Sequence, residues 1–566
     1  MAEYRWLKPK NIRSIPTLLR MMVERQPEKT ALVYFGRKIS YGDLWHSVSR
    51  VASYVCGTTK EGELVGLCMP NIPQFPLCYY GALLAGRTVV PINFISLAND
   101  LRTKNLRDIR ITPEIAAQLA DARPSILFVA DFLYPVLRPA ITWPCRIVVT
   151  SPAEFLPFFL RLLYPLKAWW DGRTATIPKT VTRFPAVLRG MNTSPLMYPS
   201  PESIAQLQYT GGTTGTPKGA MLSHRNLVTN LLQAREQLGG SLRDGAEVVL
   251  GVLPFFHIYG MTVAMNFTLL SVGGTLVLIP AFEAKQVIRS IERHRVTIFP
   301  GVNRLYHALV AHEKMMRTHD LSSLKLCVCG AGPIDPRICE KFAEITGTAI
   351  VEGYGLSETS PIISFTMPTD AGRIPSARGT LVGTVLPRTQ VKILDPGPDD
   401  IGEIAVRGPQ VMQGYYRKPE ETAEVLADGW FRTGDLGYVD KGNRLYFVDR
   451  AKDLVKCRGE NIYASHVERH LAECALIREA FVVGVPDAKD GESVIACVVP
   501  WETPTDAAAF EREVIQFLRE KSGVAPLQVP KRVVCFASLD EYKNPIGKIL
   551  KRHLKTAALE RLRNGS

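Results

Sequence analysis

Short apolar runs typical of buried β-strands alternate with helical stretches along much of this chain. Strands that are apolar on both faces belong to sheets that are covered on both sides, and their alternation with helices is typical of α/β proteins. The pattern therefore predicts an α/β fold built in layers. The clearest runs are LVGLCMP (64–70), SILFVA (125–130), VVLGVLP (248–254), TLVLIP (275–280) and LKLCVCG (324–330).

One helix is marked at its start by a capping signal. Ser40 is followed three residues later by Asp43, the spacing at which each side chain accepts a hydrogen bond from the backbone N–H of the other residue. The apolar residues that follow recur at helical spacing, which predicts a helix with one buried face. These residues are Leu44, Val48, Val51 and Val55.

The chain is long enough for more than one domain. Its 566 residues, 46% of them hydrophobic, exceed what one core usually organises. Near residue 395 the turn-rich DPGPDDIGEIAVRG introduces short alternating strands, and after residue 450 helices and strands alternate in a compact tail. We predict a large N-terminal domain, 1–450, of layered α/β subdomains plus a β-rich subdomain, and a small α+β C-terminal domain, 451–566.

The stretch QYTGGTTGTPKGAMLSHRN (208–226) surrounds one lysine with glycines and threonines. Glycines let backbone amides approach a ligand, hydroxyls donate hydrogen bonds and the lysine adds positive charge, so the loop is predicted to hold a polyphosphate. It is not a Walker A loop, because Pro217 precedes Lys218 and Gly219 follows it. The flanking AQLQYT and GAML predict a β-hairpin, after which Ser223 caps a helix.

The charge balance favours anionic partners. Lys and Arg number 68 against 54 Asp and Glu, a formal net charge of +14, which suits nucleotides, acyl carboxylates or an acidic membrane surface. Nucleic acid is not an expected partner, because no basic run is interleaved with aromatic residues and the positive charge is scattered along the chain.

Cysteine usage indicates a reducing compartment. The eleven cysteines are dispersed and odd in number, which argues against a secreted disulfide framework. Cys327 and Cys329 form a C-x-C without a second pair to complete a zinc site, so we interpret them as packing on one face of a strand. The N-terminal MAEYRWLKPKNIRSIP lacks the apolar region of a signal peptide, and the expected location is the cytoplasm.

A long uncharged stretch needs its own interpretation. No Asp, Glu, Lys or Arg occurs from Val248 to Phe282, which is long enough for a membrane span. Pro254, His257, Asn266 and the pair Gly273–Gly274 interrupt it. We therefore predict a loop, a buried helix from about Met261, a Gly-Gly turn and a strand.

Residues 155–170, FLPFFLRLLYPLKAWW, are aromatic and leucine-rich, with Arg161 and Lys167 inside and Pro157 and Pro165 interrupting the pattern. Two interpretations stay open. One is insertion into a membrane interface, where tryptophans and basic residues both settle at headgroup level. The other is a buried loop whose basic side chains reach the solvent.

The phosphate-loop motif YTGGTTGTPKG resembles the signature loop of the adenylate-forming superfamily, which contains acyl-CoA synthetases, luciferases and peptide-synthetase adenylation domains. Further motifs of that family follow in its order across nearly the whole chain. They are PFFHIYG (254–260), GAG (330–332), EGYGLSET (352–359), TGDLG (433–437), DRAKDLVKCRGENI (449–462) and NPIGKILKR (544–552).

The resemblance implies an enzyme that uses Mg-ATP to convert a carboxylic acid to an acyl-adenylate and pyrophosphate. It implies that Thr213 and Glu358 direct Mg²⁺, that Asp435 accepts both ribose hydroxyls, and that Arg450 lies by the ribose and phosphate. The residues implied to hold the phosphates are Thr210, Gly211, Gly212, Thr213, Thr214, Gly215, Thr216 and Lys218. Those implied around adenine are Gly330, Ala331, Gly332, Glu352, Gly353 and Tyr354, with Gly355 and Ser357 in the same motif.

The same resemblance names catalytic residues and a moving domain. Lys548 is implied as the catalytic lysine, reaching the carboxylate oxygen and the α-phosphate together, and Glu358 acts with it. His257 is implied to line the path between acyl pocket and thiol. The C-terminal domain is expected to rotate about Lys452 between the two half-reactions. Gly459 is implied beside the pantetheine tunnel, and Lys456 as a residue of the second half-reaction.

The chain departs from the common family pattern at two positions. Asp449 stands where glycine usually precedes the arginine, and Ala464 replaces a frequent proline. Neither is a catalytic group.

The motif EGYGLSETSP together with residues 155–170 resembles bacterial long-chain fatty acid–CoA ligases. The implied substrate is a fatty acid, and the implied cofactors and partners are ATP, Mg²⁺ and coenzyme A, with peripheral contact to the inner face of the membrane through 155–170. The alternatives are a fatty acyl-AMP ligase that loads an acyl carrier protein, a medium-chain or aromatic acid–CoA ligase, and a non-catalytic acyl-binding protein. Intact Lys548, Glu358 and Asp435 disfavour the last, and the lack of an insertion near the hinge favours coenzyme A.

Overall fold

The structure, a computed structural model, describes residues 12–94, 111–190, 196–210, 217–332, 334–367, 379–521, 523–543 and 549–563. The chain divides into two compact units. Unit 1 consists of Met1–Gly372, Leu386–Gln390 and Arg407–Phe431, and unit 2 of Arg373–Val385, Val391–Val406 and Arg432–Ser566.

The α-helices are α1 (Ile15–Arg25), α2 (Tyr41–Thr58), α3 (Gln74–Leu84), α4 (Pro113–Ala122), α5 (Tyr134–Leu137), α6 (Phe158–Trp170), α7 (Phe184–Arg189), α8 (His224–Leu238), α9 (Ala284–His294), α10 (Asn303–Val310), α11 (Glu313–Thr318), α12 (Pro336–Thr346), α13 (Pro419–Val425), α14 (Ala464–Leu471), α15 (Ala507–Glu520) and α16 (Lys551–Arg563).

The strands are β1 (Thr30–Tyr34), β2 (Arg37–Ser40), β3 (Leu64–Cys68), β4 (Thr88–Pro91), β5 (Ile126–Ala130), β6 (Arg146–Thr150), β7 (Thr182–Arg183), β8 (Ile204–Thr210), β9 (Lys218–Ser223), β10 (Val248–Gly251), β11 (Thr275–Leu278), β12 (Ile298–Gly301), β13 (Leu326–Cys329), β14 (Ile350–Gly355), β15 (Ile362–Phe365), β16 (Thr380–Val385), β17 (Gln390–Leu394), β18 (Gly402–Arg407), β19 (Leu426–Ala427), β20 (Trp430–Val439), β21 (Arg444–Arg450), β22 (Val455–Cys457), β23 (Glu460–Ile462), β24 (Ile477–Asp487), β25 (Gly491–Pro500) and β26 (Arg532–Cys535).

Unit 1 contains two largely parallel sheets. One has the strand order β7-β6-β5-β3-β4-β8-β9, and the other runs β15-β14-β13-β12-β10-β11-β1-β2. The inner strand β5 is buried at every position, as expected for a strand that is covered on both faces. All five predicted apolar runs form strands of these sheets, so the α/β prediction is confirmed.

Local capping signals set the starts of two helices in unit 1. Ser40 and Asp43 form the predicted capping box at the start of α2. Ser223 forms another with Asn226 at the start of α8, directly after strand β9. The second cap fixes the point at which the chain leaves the hairpin of β8 and β9.

The uncharged stretch also folds inside unit 1. Gly260–Val272 is a buried π-helix, Gly273 follows it with φ 61°, and β11 comes next, as predicted. Within the described ranges, no helix combines the length and the apolar character that crossing a bilayer requires.

Unit 2 contains the β-rich segment and the C-terminal α+β tail. The strand order in the first is β17-β18-β20-β21-β16, and in the second β23-β22-β25-β24 with β26 beside β25. Strand β25 separates two cores by its alternation: Val494, Ala496 and Val498 lie in one hydrophobic cluster, and Ile495, Cys497 and Val499 in the other. The tail therefore has helices packed on both faces of its sheet.

The cysteines act as packing residues. All eleven are free thiols, and both Cys327 and Cys329 are buried in the core of unit 1. No cluster of histidine, cysteine and acidic side chains suited to a metal ion occurs among the described residues. The interpretation of the C-x-C as one face of a strand is confirmed.

Candidate active site

The predicted phosphate hairpin is present in unit 1. Strands β8 and β9 pair antiparallel, and Thr210 lies opposite Lys218 at the end of the ladder. The Thr210 hydroxyl lies 3.5 Å from the Lys218 carbonyl oxygen. Residues 211–216, which include the implied phosphate ligands Gly211, Gly212, Thr213, Thr214, Gly215 and Thr216, lie outside the described residues.

Buried glutamines join this hairpin to the segment that carries His257. Gln208 Nε2 donates to the Phe256 carbonyl oxygen at 3.1 Å, and Gln208 Oε1 accepts from Gln206 Nε2 at 2.6 Å. Gln206 and Gln208 are both buried. A buried amide group is costly unless it is hydrogen-bonded, so these contacts hold residues 254–260 beside the hairpin.

The structure assigns a tautomer to neutral His257. Its Nδ1 accepts a hydrogen bond from the Tyr259 N–H at 3.3 Å. In the neutral ring the proton therefore lies on Nε2. The Tyr259 hydroxyl in turn lies 3.2 Å and 3.1 Å from the carbonyl oxygens of Gly301 and Val328, which ties the segment to the ends of the parallel strands.

The implied adenine residues lie on neighbouring strands. Strands β13 and β14 are parallel, Cys329 pairs with Glu352, and Gly330, Ala331 and Gly332 follow β13 directly. A Cβ at Gly330 would lie 3.0 Å from the Tyr259 ring. Ala331 has φ 68°, a left-handed conformation that is uncommon for residues other than glycine and recurs at functional sites.

Strand β14 carries Glu352, Gly353, Tyr354 and Gly355 into the segment that holds Glu358. A Cβ at Gly355 would lie 1.8 Å from the Pro361 carbonyl oxygen, so only glycine fits this crossing. Ser357 and Glu358 follow in a 3-10 turn. The close crossing places the carboxylate directly after the adenine segment.

Glu358 is the acidic residue to which the resemblance assigns a role in binding Mg²⁺. It is buried, and its Oε1 accepts a hydrogen bond from the Tyr415 hydroxyl at 2.9 Å. Its carbonyl oxygen accepts from the Met412 N–H at 2.8 Å. Lys218 Nζ lies 5.4 Å from the centre of the Tyr415 ring. Tyr415 therefore connects the lysine of the phosphate hairpin to the acidic side chain.

Tyr415 is held against the hairpin by backbone hydrogen bonds. The Met221 N–H donates to the Gly414 carbonyl oxygen at 2.9 Å, and the Tyr416 N–H donates to that of Gly219 at 2.8 Å. Sequence reasoning missed Tyr415. Its only local signal is the tyrosine pair in QGYYRKPE (413–420), which does not indicate a partner 57 residues away.

The described acidic group suits the metal that the family implies. Mg²⁺ prefers hard oxygen ligands and binds with one or two carboxylates plus substrate phosphates. Glu358 supplies a buried carboxylate near the base of the phosphate hairpin, and Tyr415 restricts its orientation by one hydrogen bond. Glu358 and Thr213 would hold the ion, which when bound offsets phosphate charge.

The implied ribose residues pair with each other in unit 2. Asp435 and Arg450 are register partners across β20 and β21, and Arg450 Nε lies 3.5 Å from Asp435 Oδ1. The Asp435 side chain is buried, and its backbone N–H donates to the Thr433 hydroxyl at 3.1 Å. A carboxylate has two acceptor oxygens, which suits a partner with two hydroxyl groups.

The hinge segment of unit 2 is short. Lys452 lies in a 3-10 turn between β21 and β22, Lys456 is exposed on β22, and Gly459 begins the return to β23 with φ 79°. Lys548 lies outside the described residues. On either side of the 544–548 segment, Lys543 and Ile549 pair in an antiparallel bridge.

Asp449 has a structural role at the position where the family commonly has glycine. Its Oδ1 accepts from the Arg450 N–H at 2.8 Å and its Oδ2 from the Ser465 N–H at 2.9 Å. The Ser465 hydroxyl donates to the Val448 carbonyl oxygen at 2.6 Å. Asp449 thus joins the end of β21 to the first turn of α14, where acidic groups are favourable.

Glu352 makes stability depend on pH. Burial raises its pKa to about 8, so the folded protein keeps the carboxyl neutral where the unfolded chain ionises it. The resulting cost to stability is absent below the ordinary pKa near 4.5, grows as pH rises towards 8 and is constant above. Glu352→Gln should therefore raise the free energy of unfolding near pH 9 by up to a few kcal/mol, and the melting temperature with it. At about pH 5 both should change little.

Thermal unfolding followed across this pH range measures the effect, and the exposed Glu340→Gln is the matched control. A gain of the same size at both ends of the range would contradict the assignment of a neutral Glu352 carboxyl.

Tyr415→Phe should slow the acyl-adenylate formation that the resemblance implies by roughly 10- to 100-fold, because a hydrogen bond to a charged group contributes about 1.5–3 kcal/mol. The loss should be accompanied by a higher apparent KM for Mg-ATP, since Glu358 loses the donor that orients it. Pyrophosphate release under varied Mg-ATP measures both constants. Tyr416→Phe removes a neighbouring hydroxyl and serves as the control; equal losses in both variants would refute the role of Tyr415.

Two comparisons of the sequence bear on this site. Residues 19–416 match the AMP-binding enzyme family, and residues 466–548 match the AMP-binding enzyme C-terminal domain. A long-chain-fatty-acid–CoA ligase from Bacillus subtilis is 37% identical over 559 residues, covering 96% of this chain and 94% of the relative. A ligase of the same name from Salmonella typhimurium is 30% identical over 582 residues, covering 99% and 97%.

Solved structures share the fold along nearly the whole chain. ATP-bound MatB from Rhodopseudomonas palustris superimposes with a TM-score of 0.78 at 26% identity, covering 96% of this chain and 98% of that one. The anthranilate CoA ligase AuaEII in complex with anthranoyl-AMP has a TM-score of 0.78 at 22% identity, covering 98% and 100%. The second likeness is one of fold alone.

Proposed function

Because the chain belongs to the AMP-binding enzyme family, we propose that it is an ATP-dependent acid–thiol ligase that converts a long-chain fatty acid and coenzyme A to acyl-CoA. ATP, Mg²⁺ and coenzyme A are its cofactor and co-substrates. The observation that carries this conclusion is the identity of 37% to a long-chain-fatty-acid–CoA ligase over almost the full length of both chains.

The reaction has two steps. A carboxylate oxygen of the acid bonds to the α-phosphorus of ATP, the bond from that phosphorus to the bridging oxygen breaks, and pyrophosphate leaves. The thiolate of coenzyme A then attacks the acyl carbon, and AMP leaves. The first step brings two anions together, so positive charge and oriented N–H groups must offset the repulsion.

We assign the groups of the chain to this task as follows. Lys218 and the amides of the phosphate loop hold the β- and γ-phosphates, with Glu358 oriented by Tyr415 beside them. Asp435 accepts the ribose hydroxyls, and Arg450 forms an ion pair with Asp435. Lys548 offsets the charge that develops between carboxylate and α-phosphate. His257 lines the path of the thiol, and its neutral ring carries the proton on Nε2.

Coenzyme A is the proposed acceptor, with an acyl carrier protein as the alternative. The hinge supports coenzyme A, because no insertion is present there: only residues 451–454 separate β21 from β22. Domains 1–450 and 451–566 are the proposed division, with the second as the mobile lid. The two family matches lie on either side of residue 450, which supports this boundary.

The proposed location is peripheral, at the inner face of the membrane in which a long-chain acid dissolves. Segment 155–170 supports this placement, because its helix is strongly exposed.

ATP–pyrophosphate exchange across a panel of acids of increasing chain length tests the function, with consumption of coenzyme A measured alongside. We expect exchange to rise towards long saturated acids and acyl-CoA to form with them. Exchange that is confined to aromatic or short acids would contradict the proposed substrate. Exchange without consumption of coenzyme A would contradict the proposed acceptor.

A further inference from the structure

Helix α6 (Phe158–Trp170) concentrates exposed apolar surface. Eight of the thirteen exposed large hydrophobic side chains in the described part of the chain belong to it. Within the helix only Ala168 is buried. Contiguous apolar patches of this kind mark binding sites on soluble proteins. The eight are Phe158, Phe159, Leu160, Leu162, Leu163, Leu166, Trp169 and Trp170.

The helix has one outward apolar face. At about 100° of rotation per residue, the less exposed Tyr164 and Ala168 fall on one side of the helix, which rests on unit 1. Arg161 and Lys167 fall on the two flanks. The residues within an arc of about 140° on the opposite side are Phe158, Phe159, Leu162, Leu163, Leu166, Trp169 and Trp170.

The turn between β1 and β2 extends this face. Phe35 at the turn is 44% exposed. Arg37, two residues later, lies with its guanidinium 5.2 Å from the centre of the Phe155 ring, just before α6 begins, and donates to the Glu154 carbonyl oxygen at 3.5 Å. We call α6 together with residues 35–38 the docking surface.

The docking surface and the sequence that follows it are rich in basic residues. Between residues 155 and 190 six Lys and Arg occur against one acidic residue, Asp171. Lys167 is 73% exposed even though it pairs with Asp171 at 3.2 Å. Arg37 and Lys38 in the adjoining turn are also exposed. An anionic partner is therefore favoured on electrostatic grounds.

We propose that the docking surface binds the headgroup region of a membrane that contains anionic lipids, with α6 lying in the plane of the interface. The helix is about 20 Å long, too short to cross a bilayer. Its aromatic and leucine side chains face away from unit 1 into the acyl boundary, and Arg161 and Lys167 on its flanks reach the phosphates.

Charge decides between lipid and a second copy of the chain. Two copies that met through this surface would bring two basic faces together, and like charges across an interface are costly. Lipid phosphates neutralise the same charge. The proposal rests on the proposed function in one respect. Membrane binding would bring the enzyme to a long-chain acid that is dissolved in the bilayer.

Sedimentation with phosphatidylcholine–phosphatidylglycerol vesicles tests the proposal. The full chain should bind, and binding should weaken with phosphatidylcholine alone and at high salt. The triple variant Phe159→Ser/Leu163→Ser/Trp170→Ser should bind on the order of 100-fold more weakly, because three large apolar side chains that would be buried in the membrane are removed. Trp501→Ser, which removes a tryptophan that is 62% exposed in unit 2, should bind as the unchanged protein does.

A second variant measures insertion without removing apolar surface. Trp169→Phe/Trp170→Phe should keep most vesicle binding but lose most of the quenching of tryptophan fluorescence by brominated lipids. Equal vesicle binding by the triple variant and the unchanged protein would overturn the proposal. So would a dimer in sedimentation velocity that the triple variant abolishes.

The two proposals fail separately. If acyl-CoA forms in lipid-free buffer but vesicles never bind the protein, the docking surface is wrong and the proposed function stands. If vesicles bind through α6 but no acid supports pyrophosphate exchange, the proposed function is wrong and the docking surface stands. The melting temperature of the triple variant shows whether it is folded.

Discussion

Lys548→Ala should slow acyl-adenylate formation by roughly 100- to 1,000-fold, the usual effect of removing one preorganised group that stabilises developing charge. The ammonium group offsets the repulsion between the carboxylate and the α-phosphate, and alanine leaves that repulsion uncompensated. Pyrophosphate release in a single turnover with acid and Mg-ATP measures the first half-reaction alone.

The second half-reaction provides the internal control for this variant. Supplied with synthetic acyl-adenylate and coenzyme A, Lys548→Ala should form thioester at close to the unchanged rate, because the proposed role of the lysine ends with pyrophosphate release. Lys489→Ala, an exposed lysine in the same unit, should alter neither step. Equal loss of both half-reactions would refute the assignment of Lys548 to adenylation.

Glu358→Gln should lower ATP–pyrophosphate exchange on the order of 100-fold. The amide keeps an oxygen to accept the Tyr415 hydroxyl hydrogen bond, so the packing of the cluster is preserved while its negative charge is lost. The apparent Kd for Mg-ATP should rise, and raising the Mg²⁺ concentration should restore part of the activity.

An exposed glutamate in the same unit is the matched control. It shows whether the loss of exchange requires removal of negative charge at the site or follows from removing a negative charge elsewhere. Glu420 is exposed in the same unit, and Glu420→Gln should leave exchange and its Mg²⁺ dependence unchanged. If Glu358→Gln retained full exchange at low Mg²⁺, the proposed metal role of this carboxylate would be wrong.

Local signals were sufficient for many elements of the fold. The Ser40–Asp43 spacing places the start of α2, and the five apolar runs of the sequence analysis coincide with strands of the sheets in unit 1. The paired apolar runs on either side of the phosphate loop predict the hairpin of β8 and β9. These signals succeed because capping, side-chain alternation and tight hairpins depend on residues close in sequence.

Residues 155–170 show where local signals end. Pro165 is expected to interrupt the segment, yet α6 runs through it from Phe158 to Trp170. Insertion into a membrane interface and burial as a loop were equally consistent with the sequence. The exposures of Phe159 and Trp170, 77% and 76%, now exclude burial within the protein. Exposure depends on what packs beside a segment, and composition does not contain that information.

The sequence by itself determined the α/β class, the family and the residue types at the motifs, because ordered motifs and local spacing are written along the chain. Only the tertiary structure decided that Tyr415 orients Glu358 and that Gln208 holds the His257 segment, across 57 and 48 residues respectively. The physical reason is that such hydrogen bonds form between side chains that strand pairing and close backbone crossings bring together, and the partner of a buried polar group follows from those long-range contacts.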